Sequence, residues 1–187
     1  MKHFDIARYE QQIKADPHYE GFAPDKDHYV WEHYRLDPDY LDEGYDKALV
    51  AGYVQANEDR KEAIKEVFQF DREGRLQSTA TYFSTSLEIG IWRRWNERGQ
   101  LVTETDKDKS YPFALPQVLD FARQKGADLR TTGTVKRRYD SALKQYVWLL
   151  SWVVDYKKET YQQSYLLDGI SGKVLQQERG PAPVLYQ

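Results

Sequence analysis

The chain contains no cysteine, which removes disulfides, thiolate nucleophiles and cysteine-based zinc sites together. It has no run of eighteen apolar residues, so no bilayer-spanning helix is expected. Its N-terminus meets charge at Lys2 and Asp5, with no apolar stretch of the kind a secretory signal needs. A cytoplasmic protein is therefore expected. Glycine-rich loops of the phosphate-cradling type are missing as well. All four histidines (His3, His18, His28 and His33) lie in the first third. His28 and His33 are five apart, poorly aligned for one metal on a helix and on opposite faces of a strand. His28 and Glu32 are helix-spaced, but without the two-histidine pattern of a zinc helix. Asp37, Asp39, Asp42, Glu43 and Asp46 cluster as solvated turn acids do, whereas paired-carboxylate catalysis needs two contrasting environments. The expectation is a protein that is not an enzyme and uses no cofactor or metal.

What is present points to a folded chain. Its 187 residues are 40% hydrophobic and 14% aromatic, with fifteen Tyr, seven Phe and five Trp, residue types in which disordered chains are poor. The length fits one domain or two small ones. With 30% charged residues and a mean hydropathy of −0.83, the composition is that of a soluble protein. The charge is uneven: residues 1–60 hold fourteen Asp/Glu against seven Lys/Arg, the remainder sixteen against twenty. An acidic N-terminal third is either a solvated flank or a face that attracts a basic partner.

Along the chain, a short helix is expected from Asp5 to Ala15, ended by Asp16-Pro17. Residues 16–46 are rich in Asp, Pro, Gly and Tyr and read as turns and short extended pieces. A second helix is expected either over Glu43–Ala56 or over Asn57–Glu66, where Glu58, Lys61, Glu62 and Lys65 have helix-like charge spacing. Residues 66–105 alternate β-branched and aromatic runs with turn chemistry, the signal of strands and hairpins. Within them Phe70-Asp71-Arg72-Glu73-Gly74-Arg75-Leu76 aligns with Trp95-Asn96-Glu97-Arg98-Gly99-Gln100-Leu101 at an offset of 25. Each copy reads as a strand end, a turn with glycine at positive φ, and the first apolar residue of the next strand.

Pro116 and the stripe Leu115, Val118, Leu119 and Ala122 predict a helix ending at Lys125-Gly126. Strands are expected at Gly133–Tyr139, Tyr146–Tyr156 and Tyr161–Leu167, then a glycine turn at 168–172 before Lys173-Val174-Leu175. Tyr146–Tyr156 is apolar on both faces for much of its length and is expected inside its sheet.

Residues 110–178 resemble a PepSY-like domain, through the helix Leu115–Lys125, the strand Tyr146–Tyr156 and the terminal run from Tyr165 through Asp168-Gly169-Ile170-Ser171-Gly172 to Leu175. That resemblance implies a helix-and-antiparallel-sheet domain serving as an inhibitory or binding module. Residues 68–103 are similar to the MORN-like repeats of a bacterial antitoxin family, through Phe70, Gly74-Arg75-Leu76, Gly90-Ile91-Trp92-Arg93-Arg94-Trp95 and Gly99-Gln100-Leu101. That similarity implies an immunity protein that neutralises a cognate toxin.

The fold class expected is α+β: an antiparallel β-meander with MORN-like repeats plus a PepSY-like helix and sheet. Three regions are expected: 1–60, acidic and aromatic; 61–106, the meander; and 107–187, the helix-plus-sheet domain. The function expected is inhibition of a protein toxin with a basic surface. Trp31, Tyr34, Asp37, Asp39, Tyr40, Asp42 and Glu43 are the candidate partner-binding residues, because tyrosine and tryptophan supply rigid contact area and carboxylates steer encounter. The aromatics among them equally suit the cover of a β core. The alternative is a small-ligand or enzymatic role in a cleft between the meander and the C-terminal sheet. Arg93-Arg94 beside Trp92 and Trp95, and Lys136-Arg137-Arg138, suit nucleic acid by charge and stacking, but the acidic net charge of −3 argues against that partner. No membrane partner is expected.

Overall fold

The computed structural model describes residues 2–40, 45–156 and 159–181. The chain divides into two compact units, Met1–Lys107 and Asp108–Gln187.

The first unit opens with helix α1 (Ile6–Ala15), whose Asp5 cap accepts a hydrogen bond from the Arg8 amide. That bond satisfies one of the donors a helix start leaves unpaired. Seven strands follow: β1 (Gly21–Phe22), β2 (His28–Leu36), β3 (Val50–Asp59), β4 (Ile64–Asp71), β5 (Leu76–Phe83), β6 (Leu87–Trp95) and β7 (Leu101–Asp106). They form one sheet in chain order, each antiparallel to the next. Single turns of 3-10 helix occupy Pro38–Tyr40 and Lys47–Leu49.

Two expectations fail here. Residues 16–46 are more than turns and short pieces, because nine of them form β2. The second helix does not form over Asn57–Glu66, nor, among the described residues, over Glu43–Ala56; the chain makes the β3–β4 hairpin instead. The charge spacing that suggested a helix also suits the hairpin, where Glu58 and Lys65 lie directly opposite each other and attract across the strands. The Asp59 carboxylate caps the turn by accepting from the Glu62 amide at 2.9 Å. Val54, Ile64, Val67, Phe68 and Phe70 then favour a half-buried sheet over a helix. Residues 1–60 and 61–106 consequently share one sheet, with β1–β3 drawn from the first stretch and β4–β7 from the second.

One face of this sheet carries the core. Phe4, Tyr9, Val50, Tyr53, Phe70 and Leu76 are buried together, with Ile6 and Ile13 of α1, Tyr34, Leu36 and Tyr45 against them. Phe4 stacks on Tyr53 with ring centroids 4.7 Å apart.

The internal repeat is a structural repeat. In both copies the second residue closes the turn through its backbone: Asp71 N donates to Arg75 O and Asn96 N to Gln100 O, each at 3.0 Å. Its side chain then accepts twice. Asp71 Oδ1 takes the amides of Glu73 and Arg75, and Asn96 Oδ1 those of Arg98 and Gln100. Gly74 and Gly99 sit at φ +81° and +72°, conformations glycine adopts without a Cβ clash. The copies differ in burial, since Asp71 is only 7% exposed and also accepts from Arg75 Nε at 2.7 Å. Asp71→Ala is therefore expected to cost about 2 kcal/mol and Asn96→Ala about 1 kcal/mol, read from urea unfolding of the two variants. Equal losses would show that burial of the capping group adds nothing.

The second unit places helix α2 (Leu115–Gln124) with a four-stranded antiparallel sheet in the order β11-β10-β9-β8. Its strands are β8 (Thr134–Asp140), β9 (Gln145–Tyr156), β10 (Glu159–Asp168) and β11 (Val174–Pro181). Strand β9 lies inside the sheet, as its apolar faces predict. Trp148, Leu150 and Trp152 are buried on it, with Val118, Leu119 and Ala122 buried on α2. Phe121 meets Tyr165 edge-on at 5.2 Å. The aspartate turn recurs: Asp168 Oδ1 accepts from the amides of Ile170 and Ser171, with Gly172 at φ +73°. The two units together are α+β, dominated by antiparallel sheet. Among the described residues no helix is long and apolar enough to cross a membrane.

Candidate functional site

Strand alternation decides what β2 shows to its surroundings. Glu32 and Tyr34 point to the α1 side, whereas Tyr29, Trp31 and His33 form a row on the other. In that row the Tyr29 and Trp31 centroids are 4.6 Å apart, and Trp31 and His33 are near-parallel at 6.3 Å. Trp31 Nε1 donates to Glu58 Oε2 at 3.0 Å. Arg60 lies 5.0 Å over Tyr29 and Lys65 5.9 Å over Trp31, within cation–π range.

Among the described residues, the expected partner-binding set does not come together. Trp31 and Tyr34 are on opposite faces of β2, an odd spacing having reversed the side. Tyr34 packs against the α1 core and meets Tyr45 edge-on at 5.1 Å, so it covers the core. Asp37 and Asp39 are exposed, and Asp37 Oδ1 accepts the Asp39 amide at 3.2 Å, a local turn role. Tyr40 ends the 3-10 turn Pro38–Tyr40. Asp42 and Glu43 lie outside the described residues.

The acids that do converge are others. On the α1 side of the sheet, at the end where β3 turns into β4, Pro24, Val30 and Ile64 help form a pocket of about 580 Å³ that Glu58, Asp59, Glu62 and Glu66 also line. The strand register creates it, because Val30, Asn57 and Glu66 form one cross-strand row and His28, Asp59 and Ile64 the next. His28 also lines it. Its Nδ1 is 2.8 Å from Asp25 Oδ1 and its Nε2 3.9 Å from Asp59 Oδ2. Hydrogen bonding to Asp25 raises the His28 pKa, with Asp59 and Asp27 adding to the rise. The same hydrogen bond lowers the Asp25 pKa. Reading residues 62–70 as alternating would have shown Ile64, Glu66, Phe68 and Phe70 on one face; helix-like charge spacing hid that pattern.

One cross-strand row away, Glu32 is fully buried. Its Oε1 accepts from Arg8 Nη2 and from Gln55 Nε2 at 2.9 Å, and its Oε2 from Tyr19 at 2.8 Å. Every partner is a donor, and the carboxylate ties α1 to the sheet. Elsewhere, the sheet of the second unit carries a groove of about 520 Å³ lined in part by Leu149, Leu166, Ser151 and Thr134. The Thr134 and Ser151 hydroxyls are 2.8 Å apart. Among the described residues no three His, Asp or Glu side chains cluster to hold a metal ion.

The fold and this site define a two-unit, antiparallel-sheet protein with an acid-lined pocket at one sheet end. No family model matches the chain, and no curated protein or solved structure matches it.

Proposed function

We propose that this protein is a binding module of the immunity type, which neutralises a bacterial toxin by occluding a basic surface on it. The observation that carries the reading is the pocket at the β3–β4 end, with apolar residues Pro24, Val30 and Ile64 and the carboxylates of Asp59, Glu62 and Glu66. Apolar walls hold the alkyl stem of a lysine or arginine, and the carboxylates meet its charged head. On the other face of β2, the Tyr29–Trp31 row offers aromatic contact area of the kind that anchors protein interfaces. The MORN-like residues between Phe70 and Leu101 and the PepSY-like layout of residues 110–178 support the same reading, since both belong to binding or inhibitory modules.

The test begins with a partner captured at near one-to-one stoichiometry that is toxic when expressed alone and tolerated with this protein. Glu62→Lys with Glu66→Lys should then slow association about tenfold at low salt, with the gap closing at high salt. These positions leave the Asp59 turn cap intact. Association should also respond to pH. His28 is charged below its raised pKa and neutral above it, so raising pH through that value makes the pocket more negative and strengthens binding to a basic partner. The linked stability has the opposite sense: the His28⁺ contribution is complete below the ordinary value near 6.5 and is lost as pH rises through the folded value. A pH-independent affinity, or an on-rate unmoved by both lysines, would remove this pocket from the interface.

A second reading is binding of a small amphipathic ligand in the groove of the four-stranded sheet, where Leu149 and Leu166 adjoin the Thr134–Ser151 hydroxyl pair. Loss of ligand binding in Leu149→Asp, with toxin binding unchanged, would favour it.

A further inference from the structure

We infer that the outer edge of β7 is a docking edge, which takes an extended basic segment of a partner protein as an eighth strand of the first sheet. The inference rests on the reading of this protein as a binder of a basic partner and names where that partner's chain is held.

The four sheet edges differ in how they are protected. Unpaired edges invite strand addition, and natural proteins blunt them with short strands, lysine, proline or covering elements. Strand β1 is two residues long. Strand β8 carries Lys136-Arg137-Arg138, and β11 ends in Gly180-Pro181. Strand β7 reads Leu-Val-Thr-Glu-Thr-Asp, with no lysine, arginine, proline or glycine, and every one of its residues is exposed. Leu101 is 51% and Val102 62% exposed. Among the described residues its only hydrogen-bonded strand partner is β6. In an antiparallel pair, alternate residues turn their N–H and C=O groups away from the neighbour. Half of the β7 backbone is therefore presented outward as a ladder, and the occupant such a ladder fits is an extended strand.

The inner side of β7 shows which side chains it accepts. Strand β6 sets Trp92 opposite Thr105, Arg93 opposite Glu104, Arg94 opposite Thr103 and Trp95 opposite Leu101. Arg93 Nε reaches Glu104 Oε2 at 2.8 Å. A partner strand with basic and aromatic residues in that order repeats this complement on the outer side, with apolar contact at Leu101 and Val102.

The probe is a capped peptide copying residues 89–95, Ile-Gly-Ile-Trp-Arg-Arg-Trp, added to the full-length protein and followed by amide hydrogen exchange. Saturating peptide should slow exchange across residues 101–106 about tenfold, and Val102→Lys should abolish that protection while the fold, read by circular dichroism, is unchanged. Two further peptides, N-methylated at odd or at even positions, keep the charge and remove one set of ladder donors. One of the pair should lose binding and the other keep it. Equal binding of both would mean charge alone holds the peptide and would overturn strand addition. Protection over residues 28–33 and 58–66 without protection of 101–106 would overturn the edge while leaving a basic partner standing. No binding at any site would overturn both.

Discussion

Replacing Glu32 with alanine is expected to destabilise the first unit by about 3 kcal/mol, the low end of what breaking a buried ion pair costs. The carboxylate is fully buried and accepts from Arg8, Tyr19 and Gln55. Its removal leaves three donors facing a void. The value sits at the low end because the Arg8 side chain is 35% exposed and recovers part of its hydration. Glu32→Gln keeps the shape and one acceptor oxygen, and should cost about half as much. Urea unfolding of the two variants, with no change in slope, checks the pair. A loss below about 1 kcal/mol for Glu32→Ala would mean that the apolar contacts of α1 hold it without the network.

Trp148→Ala is expected to cost the second unit about 4 kcal/mol, within the range for deleting a large buried aromatic. Trp148 is fully buried. Its ring lies 5.1 Å from Tyr111, and its Nε1 donates to the Phe113 carbonyl at 2.9 Å. Trp148→Phe separates the contributions. It keeps most of the packing and loses the hydrogen bond, for an expected cost of about 1.5–2 kcal/mol. The bond fixes the chain just before α2, so the Phe variant should also speed amide exchange at residues 113–118. Unchanged exchange there would assign Trp148 to packing alone.

Legibility followed the range of the interactions. The helix Leu115–Gln124 was readable because proline at its start, an apolar stripe and a terminal glycine all act within a few residues. So were the two repeat turns, since Asp71, Asn96 and the glycines bond within their own four or five residues. The β3–β4 hairpin is ambiguous in sequence because Glu58, Lys61, Glu62 and Lys65 satisfy helix spacing and hairpin pairing alike. Only the neighbouring strands β2 and β5 resolve that ambiguity. The candidate set around Trp31 is divided between two faces for a simpler reason. Nearness in sequence is not nearness in space, and on a strand Trp31 and Tyr34 face apart.

The sequence by itself determined the absence of thiol chemistry, the acidic bias of the first third and the positions of most turns, because composition and local bonding need no distant partner. Tertiary structure alone decided that β2 and β3 join the meander and that Val30 and Glu66 flank Asn57 in one cross-strand row. It also decided that Glu32 is buried while Asp37 and Asp39 remain exposed. Register between strands sets those outcomes, and register depends on which faces are buried across the whole sheet rather than on any one segment.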